Sequence, residues 1–211
     1  MYSSATNARI AGLPGFEVWD GVISRAVCAK TIAAMNRVAR VPGAVLRHGA
    51  EHLDSGMRAC AEHCLPHEES TYVVDAMRTV AGQALSARNL GRARFDGPKF
   101  CSYPKDGCFR GHPDRSLDMD DPVAVRTRVI SLVCLLNDTN SLGDLPVFDG
   151  GALVLHVPKP DGTVAPVNVP LSAGSVVAFS SDLFHEVRPV RSGVRFSAVA
   201  WLYEGNHSEE K

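Results

Sequence analysis

The sequence has no long hydrophobic run, no surplus of either charge and little cysteine, and each shortage removes a class of function. No apolar stretch approaches the roughly 20 residues that a bilayer-spanning helix needs. The first residues, MYSSATNARIAGLPGF, carry neither the basic start nor the apolar centre of a secretory leader. A cytoplasmic chain with no membrane partner is therefore expected. Lys and Arg number 22 against 23 Asp and Glu, a formal net charge of -1, so no global field gathers nucleic acid. The nearest basic stretch, Arg88, Arg92, Arg94 and Lys99, is broken by Asp96 and reads as a solvated face, so no nucleic-acid partner is expected either. The six cysteines in 211 residues, several inside apolar runs, read as free thiols that pack as small hydrophobes.

Hydrophobic residues make up 45% of the chain, enough for one sizeable core and hardly for two, so a single domain is expected. From residue 23 to 41 the run ISRAVCAKTIAAMNRVARV repeats its apolar positions at helical spacing, and Pro42-Gly43 stops it. A second helix is expected from Ser70 or Thr71, capped by the hydroxyl, to Gly91, with Val73, Val74, Met77, Val80, Ala81 and Leu85 on one face. Beyond Gly91, short β-rich runs alternate with Gly, Pro, Asp and Asn clusters, which predicts strands near 98–103, 126–136, 151–157, 163–169, 174–179, 185–190 and 194–203. Asp161-Gly162 lies between two of them and suits a hairpin turn with positive φ. The pattern predicts a mainly β protein with supporting helices. It reads as a double-stranded β-helix (jelly roll) over about 92–204, buttressed by N-terminal α-helices over about 20–90. Residues 138–146 read as a polar loop and 206–211 as a charged tail that frays.

Gly111-His112-Pro113-Asp114 is the sharpest local feature, because two ligands one residue apart on an extended segment project to the same side and can clasp one ion. Alone, it reads first as a solvated loop pair, since a chance His-x-Asp is common in a chain with eight His and many Asp. A third candidate, His185, opens a strand directly after an apolar strand and the turn Ser180-Ser181-Asp182. A jelly roll brings such separated strands together at one mouth. Two histidines and one carboxylate there form the facial arrangement that leaves three positions open on Fe(II), for an oxidant and a co-substrate. Zinc accepts the same ligands, but catalytic zinc sites want one open position, and no obvious general base stands beside these residues.

Arg195 begins the run RFSAVAW, whose alternation puts Arg195, Ser197, Val199 and Trp201 on one face and Phe196, Ala198, Ala200 and Leu202 on the other. A buried arginine needs an anionic partner, and no strand neighbour is acidic. The carboxylate of a ligand answers that need through a bidentate pair; a bridge to a surface acid is the alternative.

These residues resemble a known family, the prolyl-4-hydroxylase-like branch of the Fe(II)/2-oxoglutarate-dependent dioxygenases. The resemblance spans about 16–203. It rests on Tyr103-Pro-Lys-Asp-Gly107-Cys-Phe109-Arg-Gly-His112-Pro-Asp114, on Phe148-Asp-Gly150-Gly151, and on His185, Val190, Gly193, Arg195 and Trp201. A tyrosine nine positions before the first ligand and a basic residue ten after the distal histidine belong to the same pattern. The resemblance implies that His112, Asp114 and His185 ligate Fe(II), with 2-oxoglutarate and dioxygen as co-substrates. Arg195 would pair with the distal carboxylate of 2-oxoglutarate, Tyr103 would donate a hydrogen bond to it, and Ser197 would occupy the serine position of the related Arg-x-Ser pattern. Related halogenases replace the carboxylate ligand by a small residue, so Asp114 points to hydroxylation, with succinate and CO2 as co-products. Leu135, where the family often has an aromatic residue, and Ala152-Leu153, where it often has an acid or polar residue, are departures that bear on the substrate. Arginine at 195, in place of lysine, points away from the collagen-type enzymes. The expected substrate is a small molecule, a free amino acid or a natural-product intermediate. The alternatives are a peptidyl prolyl hydroxylase acting on a protein loop and, from another class, a non-catalytic jelly-roll module that holds zinc.

Other features have plainer readings. Cys60, His63, Cys64 and His67 fall at i, i+3, i+4 and i+7, which on a helix is one face; a partly buried stripe with solvent-facing histidines is expected ahead of a zinc site. His48 and His52 are expected at the surface, with a substrate entrance as the other reading, and His156 is expected to be exposed. Arg110 and Arg115 flank the first two ligands and are candidates to reach an anionic group of the substrate. Trp201 is read as filling the barrel core.

Overall fold

The protein is described by a computed structural model covering residues 15–139 and 144–204. The helical part begins with β1 (Phe16–Trp19) and α1 (Arg25–Arg37), then four short strands, β2 (Arg40–Pro42), β3 (Val45–Arg47), β4 (Ala50–His52) and β5 (Ala61–His63), and the long α2 (His67–Ala87). The β-rich part follows as β6 (Ala93–Tyr103), β7 (Phe109–His112), the single turn α3 (Val123–Arg126), β8 (Arg128–Leu135), β9 (Asp149–Gly150) and β10 (Leu153–Pro158). It closes with β11 (Val164–Asn168), β12 (Val176–Ser180), β13 (His185–Val187), β14 (Val190–Ser192) and β15 (Arg195–Glu204).

A seven-stranded sheet in the order β1-β12-β8-β15-β6-β5-β2 faces a four-stranded sheet in the order β11-β10-β13-β7, with every pairing antiparallel. This is the expected jelly roll. One core lies between the sheets, where Val133, Leu135, Val177 and Phe179 meet Leu153, Leu155 and Val187. A second core lies behind the large sheet, where Ile32 and Met35 of α1 and Val73, Met77 and Val80 of α2 cover Ile130, Leu132, Phe196 and Ala198. The central strands are thus buried on both faces, which is why VISLVCL, VVAF and FSAVAWL read as nearly unbroken apolar runs. Leu132 is fully buried in the helix-side core, and Leu132→Ala is expected to destabilise the fold by roughly 2–5 kcal/mol, read as a lower urea midpoint with an unchanged slope.

Several boundaries differ from the sequence reading, each for a local reason. Helix α1 is capped by Ser24, whose Oγ accepts from Val27 N–H at 3.3 Å, and it ends at Arg37, four residues before residue 41. Pro42 disfavours helical geometry at Val41, and residues 40–42 pair instead with β5 at the sheet edge. Helix α2 starts at His67, directly after Pro66, with Glu68 and Glu69 in its first turn complementing the dipole. The Ser70 and Thr71 hydroxyls do not cap it; both donate to His67 C=O, at 3.0 and 2.7 Å. The stretch from Cys60 to His67 is strand and connection before it becomes helix, so the expected helical stripe does not form. His63 is a buried core residue: its Nδ1–H donates to Met35 C=O at 2.8 Å and its Nε2 accepts from Ser102 Oγ–H at 2.8 Å. His156 is half-buried, edge-on to Phe184, where an exposed side chain was expected.

Asp161-Gly162 turns the β10–β11 hairpin with Gly162 at φ 80°. Of the expected loop 138–146, residues 140–143 lie outside the described residues; Asp138 itself is buried, paired with Arg25 and accepting from Ala173 N–H. The expected fraying tail 206–211 also lies outside them. All six cysteines are free thiols. No described helix is long and apolar enough to cross a membrane.

Candidate active site

Strands β7 and β13 are neighbours, and His112 stands directly opposite His185, the two rings 4.4 Å apart. Beyond Pro113 the chain turns, and Asp114 N–H and Arg115 N–H both donate to Ser181 C=O, at 2.9 and 3.0 Å. That clamp holds the Asp114 carboxylate between the rings, with Oδ1 3.7 Å from His112 Nε2 and Oδ2 3.4 Å from His185 Nε2. Ligand atoms of all three residues lie within 4.8 Å of one another, and no other group of His, Cys, Asp or Glu among the described residues converges in this way.

The orientation of each ring is set by its backbone. His112 Nδ1–H donates to Arg110 C=O at 2.7 Å and His185 Nδ1–H to Leu183 C=O at 2.9 Å, which leaves both Nε2 lone pairs aimed at the shared space. Phe109 stacks on His112 at 3.6 Å and Phe179 meets His185 edge-on at 4.8 Å. Gly111 is needed for this packing: a Cβ there would lie 2.2 Å from the Phe184 ring. Burial, reinforced by the neighbouring His185, drives His112 down to about 4, so its imidazole is neutral at ordinary pH. Burial pushes the Asp114 carboxyl up, but His185, His112, Ser131 and Arg128 together outweigh it and hold the group below its usual range. Asp114 Oδ2 is nevertheless buried without a hydrogen-bond donor. Two converging imidazoles around an under-satisfied carboxylate are a donor set suited to a divalent ion.

The three residues open into a cavity of about 610 Å³ whose wall also includes Tyr103, Arg195 and Ser197. Arg195 is 2% exposed, opposite Tyr103 in the β15–β6 register, with its guanidinium 5.4 Å from the Tyr103 ring centre. Its Nη1–H donates to Ser197 Oγ at 2.9 Å, and among the described residues no carboxylate pairs with it. Burial accordingly lowers its pKa. Tyr103 is buried too, with its ring in the cavity wall.

Of the two arginines proposed from sequence to meet substrate, Arg115 lines the cavity, while Arg110 does not: its Nε–H donates to Gly56 C=O outside it. His48 and His52 are exposed on the β3–β4 hairpin and do not line the cavity either, although residues 44–47 of the same hairpin do. Sequence reasoning missed Arg128, whose guanidinium stacks 3.9 Å over Trp201 in the cavity wall. Arg128 Nε and Trp201 Nε1 are both buried without an acceptor. Trp201 therefore faces the cavity, where core filling was expected. Alternation would put Arg128 behind the sheet with Ile130 and Leu132. A register shift in the β15–β8 pairing sends Val129 to the helix-side core as well, and Arg128 forward.

A sequence profile of the 2OG-Fe(II) oxygenase superfamily matches residues 98–203, about half of the chain, a span that includes Tyr103, His112, Asp114, His185, Arg195 and Ser197. The chain belongs to that superfamily. The cofactor and co-substrates of this family are Fe(II), 2-oxoglutarate and dioxygen. A PKHD-type hydroxylase of Shewanella oneidensis is 33% identical over 109 residues, covering 52% of this chain and 43% of that protein. One from Bordetella pertussis is 32% identical over 126 residues, covering 57% and 51%. The chain thus spans about half the length of the curated relatives it matches. The fold of this superfamily member is that of a Pseudomonas putida prolyl-4-hydroxylase, with a TM-score of 0.68 at 22% identity over 91% of this chain and 94% of that one. It is equally that of a Trichoplax adhaerens prolyl hydroxylase solved with a peptide fragment of the hypoxia inducible factor oxygen degradation domain, with a TM-score of 0.68 at 16% identity over 90% and 83%.

Proposed function

We propose that the chain is an Fe(II)/2-oxoglutarate-dependent hydroxylase in which His112, Asp114 and His185 hold the iron, while Arg195, with Tyr103 and Ser197, receives the distal carboxylate of 2-oxoglutarate. The observation that carries this reading is a complementary pair of unmet needs in one cavity: a buried carboxylate oxygen without a donor, and a buried guanidinium without an acid. When bound, the ion supplies activation of dioxygen coupled to conversion of 2-oxoglutarate to succinate and CO2. The rest is the work of the chain's own groups. The Nδ1–H bonds to Arg110 and Leu183 keep both Nε2 lone pairs available, and the neutral His112 gives up no proton on binding. Arg195 is pre-oriented by Ser197 and sits in a dry wall where a bidentate pair with a carboxylate is strong. The Phe109 and Phe179 rings exclude water from the backs of the imidazoles. A module that merely held zinc would leave Arg195 without a role.

For the substrate, a free amino acid or natural-product intermediate is favoured by the two buried N–H groups of Arg128 and Trp201 that lack acceptors in the same cavity. A second reading, hydroxylation of a prolyl residue in a protein loop, is favoured by the cavity rim, where Leu117 lines the opening and stands 87% exposed, offering apolar contact to an extended chain. Succinate release measured across free amino acids and proline-containing peptides, with mass analysis of each hit for one added oxygen, tests both. Turnover with amino acids alone supports the first reading and turnover with peptides alone the second. Failure of any 2-oxoglutarate turnover under either set would overturn the hydroxylase assignment.

A further inference from the structure

The first of the three converging side chains is held by a segment outside the four-stranded sheet. Residues 57–59 run beside β7: Ala59 N–H donates to Cys108 C=O at 2.8 Å, Cys108 N–H to Ala59 C=O at 3.1 Å, and Arg110 N–H to Met57 C=O at 2.8 Å. Arg58 stands directly opposite Phe109 in this pairing, so their side chains share a face. On the other side of β7, His185 pairs with His112 and Val187 with Phe109, so two positions of β13 span three of β7. That bulge brings Phe109 and His112 to one face, both in the cavity wall, with their rings stacked at 3.6 Å and their planes 21° apart.

The Arg58 guanidinium lies over the Phe109 ring, with Cζ 4.8 Å from the ring centre. The group is tied down by the other sheet: Nη2–H donates to Cys101 Sγ of β6 at 3.6 Å, and Nη1 lies 2.8 Å from Glu62 Oε1 of β5. Nη1–H also donates to Ala44 C=O at 2.8 Å. The backbone of Arg58 thus extends the small sheet while its side chain is anchored on the large one. The side chain is 10% exposed and its Nε is buried without an acceptor. Hydrogen bonding therefore does not satisfy the cation fully, and the π face of Phe109 supplies a further attraction.

We propose that Arg58 is a positioning residue for His112 and acts through Phe109, an inference that rests on the reading of His112 as a metal ligand. The Nδ1–H bond to Arg110 C=O fixes one atom of the His112 ring and leaves the ring free to tilt about it. The Phe109 face removes that freedom, and the anchored guanidinium keeps Phe109 in place. Met57 contributes as well, because its C=O holds the N–H of Arg110, the residue whose C=O receives His112. The direction of the His112 Nε2 lone pair is thus set from the N-terminal part of the chain, outside the residues 98–203 that the superfamily profile matches. Groups that orient a ligand without touching the metal change its affinity by roughly 10–100-fold when they are lost.

Mn(II) added to the metal-free full chain, with the unbound ion counted by its EPR signal, tests this without 2-oxoglutarate or turnover. Arg58→Met and Phe109→Leu are each expected to raise the Mn(II) dissociation constant roughly 10–100-fold, and Arg58→Lys less, since an ammonium keeps a cation over the ring. Glu62 keeps Lys99 at 3.3 Å when Arg58 is replaced, so its charge is not stranded. The double variant is expected to bind no more weakly than the worse single one, because both changes break the same chain of contacts. Losses that multiply in the double variant, or an affinity in Arg58→Met equal to or above that of the unaltered chain, would overturn the proposal. If Arg58→Met fails to fold, Phe109→Leu and Arg58→Lys decide, and unaltered affinity in Phe109→Leu overturns it. His112→Ala keeps the two readings apart: Mn(II) bound there as in the unaltered chain removes the metal reading itself, whereas loss in His112→Ala with full affinity in Phe109→Leu removes only the positioning role.

Discussion

Asp114→Ala is expected to abolish 2-oxoglutarate-dependent succinate formation while leaving the protein folded. The substitution removes the only anion among the three converging side chains and keeps the backbone N–H that clamps the turn to Ser181. Two neutral imidazoles alone hold a divalent ion weakly, because the charge that offsets the cost of stripping its water is gone. The fold should survive, because the backbone clamp to Ser181 is kept and the attractions lost with the carboxylate are lost together with the cost of burying it. Succinate release below about a hundredth of the unaltered rate, from a protein that still unfolds cooperatively on heating, is the expected pair of results; second-coordination-sphere losses alone are roughly 10–100-fold, and a lost ligand exceeds them. Turnover at the unaltered rate would remove Asp114 from the metal site.

Arg195→Met is expected to raise the 2-oxoglutarate concentration needed for half-maximal turnover by roughly 100-fold or more, corresponding to the 2–5 kcal/mol lost when one partner of a buried charge pair is removed. Iron affinity should stay within a few-fold, since Arg195 is not one of the three converging ligands and its side chain is held by Ser197. Arg195→Lys is expected to fall between, because an ammonium keeps the charge and loses the planar fork. The buried guanidinium has no carboxylate partner within the described chain, so methionine, of similar length and without charge, should not cost stability. Equal 2-oxoglutarate dependence in variant and unaltered protein would reject this role.

The sequence made these residues visible to different degrees. Strands β8, β12 and β15 were legible because burial on both faces writes them as apolar runs, and the inward face of Arg195, Ser197, Val199 and Trp201 followed from alternation alone. The three-residue strands β2 to β5 were not, because they are too short and too exposed to impose a period. His112 and Asp114 announce themselves by spacing. Their meeting with His185 depends on the β13–β7 register, a contact across more than 70 positions that no local pattern encodes. Arg128 was hidden by the register shift that breaks the alternation of β8, and the buried place of His63 by a helical spacing that occurs in a segment which is extended.

The central claim is that His112, Asp114 and His185 hold Fe(II) in a form that 2-oxoglutarate can chelate. Adding Fe(II) and then 2-oxoglutarate to the protein under strictly anaerobic conditions tests it without any substrate. The account predicts a visible charge-transfer band that saturates at one iron per chain and is absent in Asp114→Ala. Iron bound with no such band, or a band of equal strength in the variant, would contradict it.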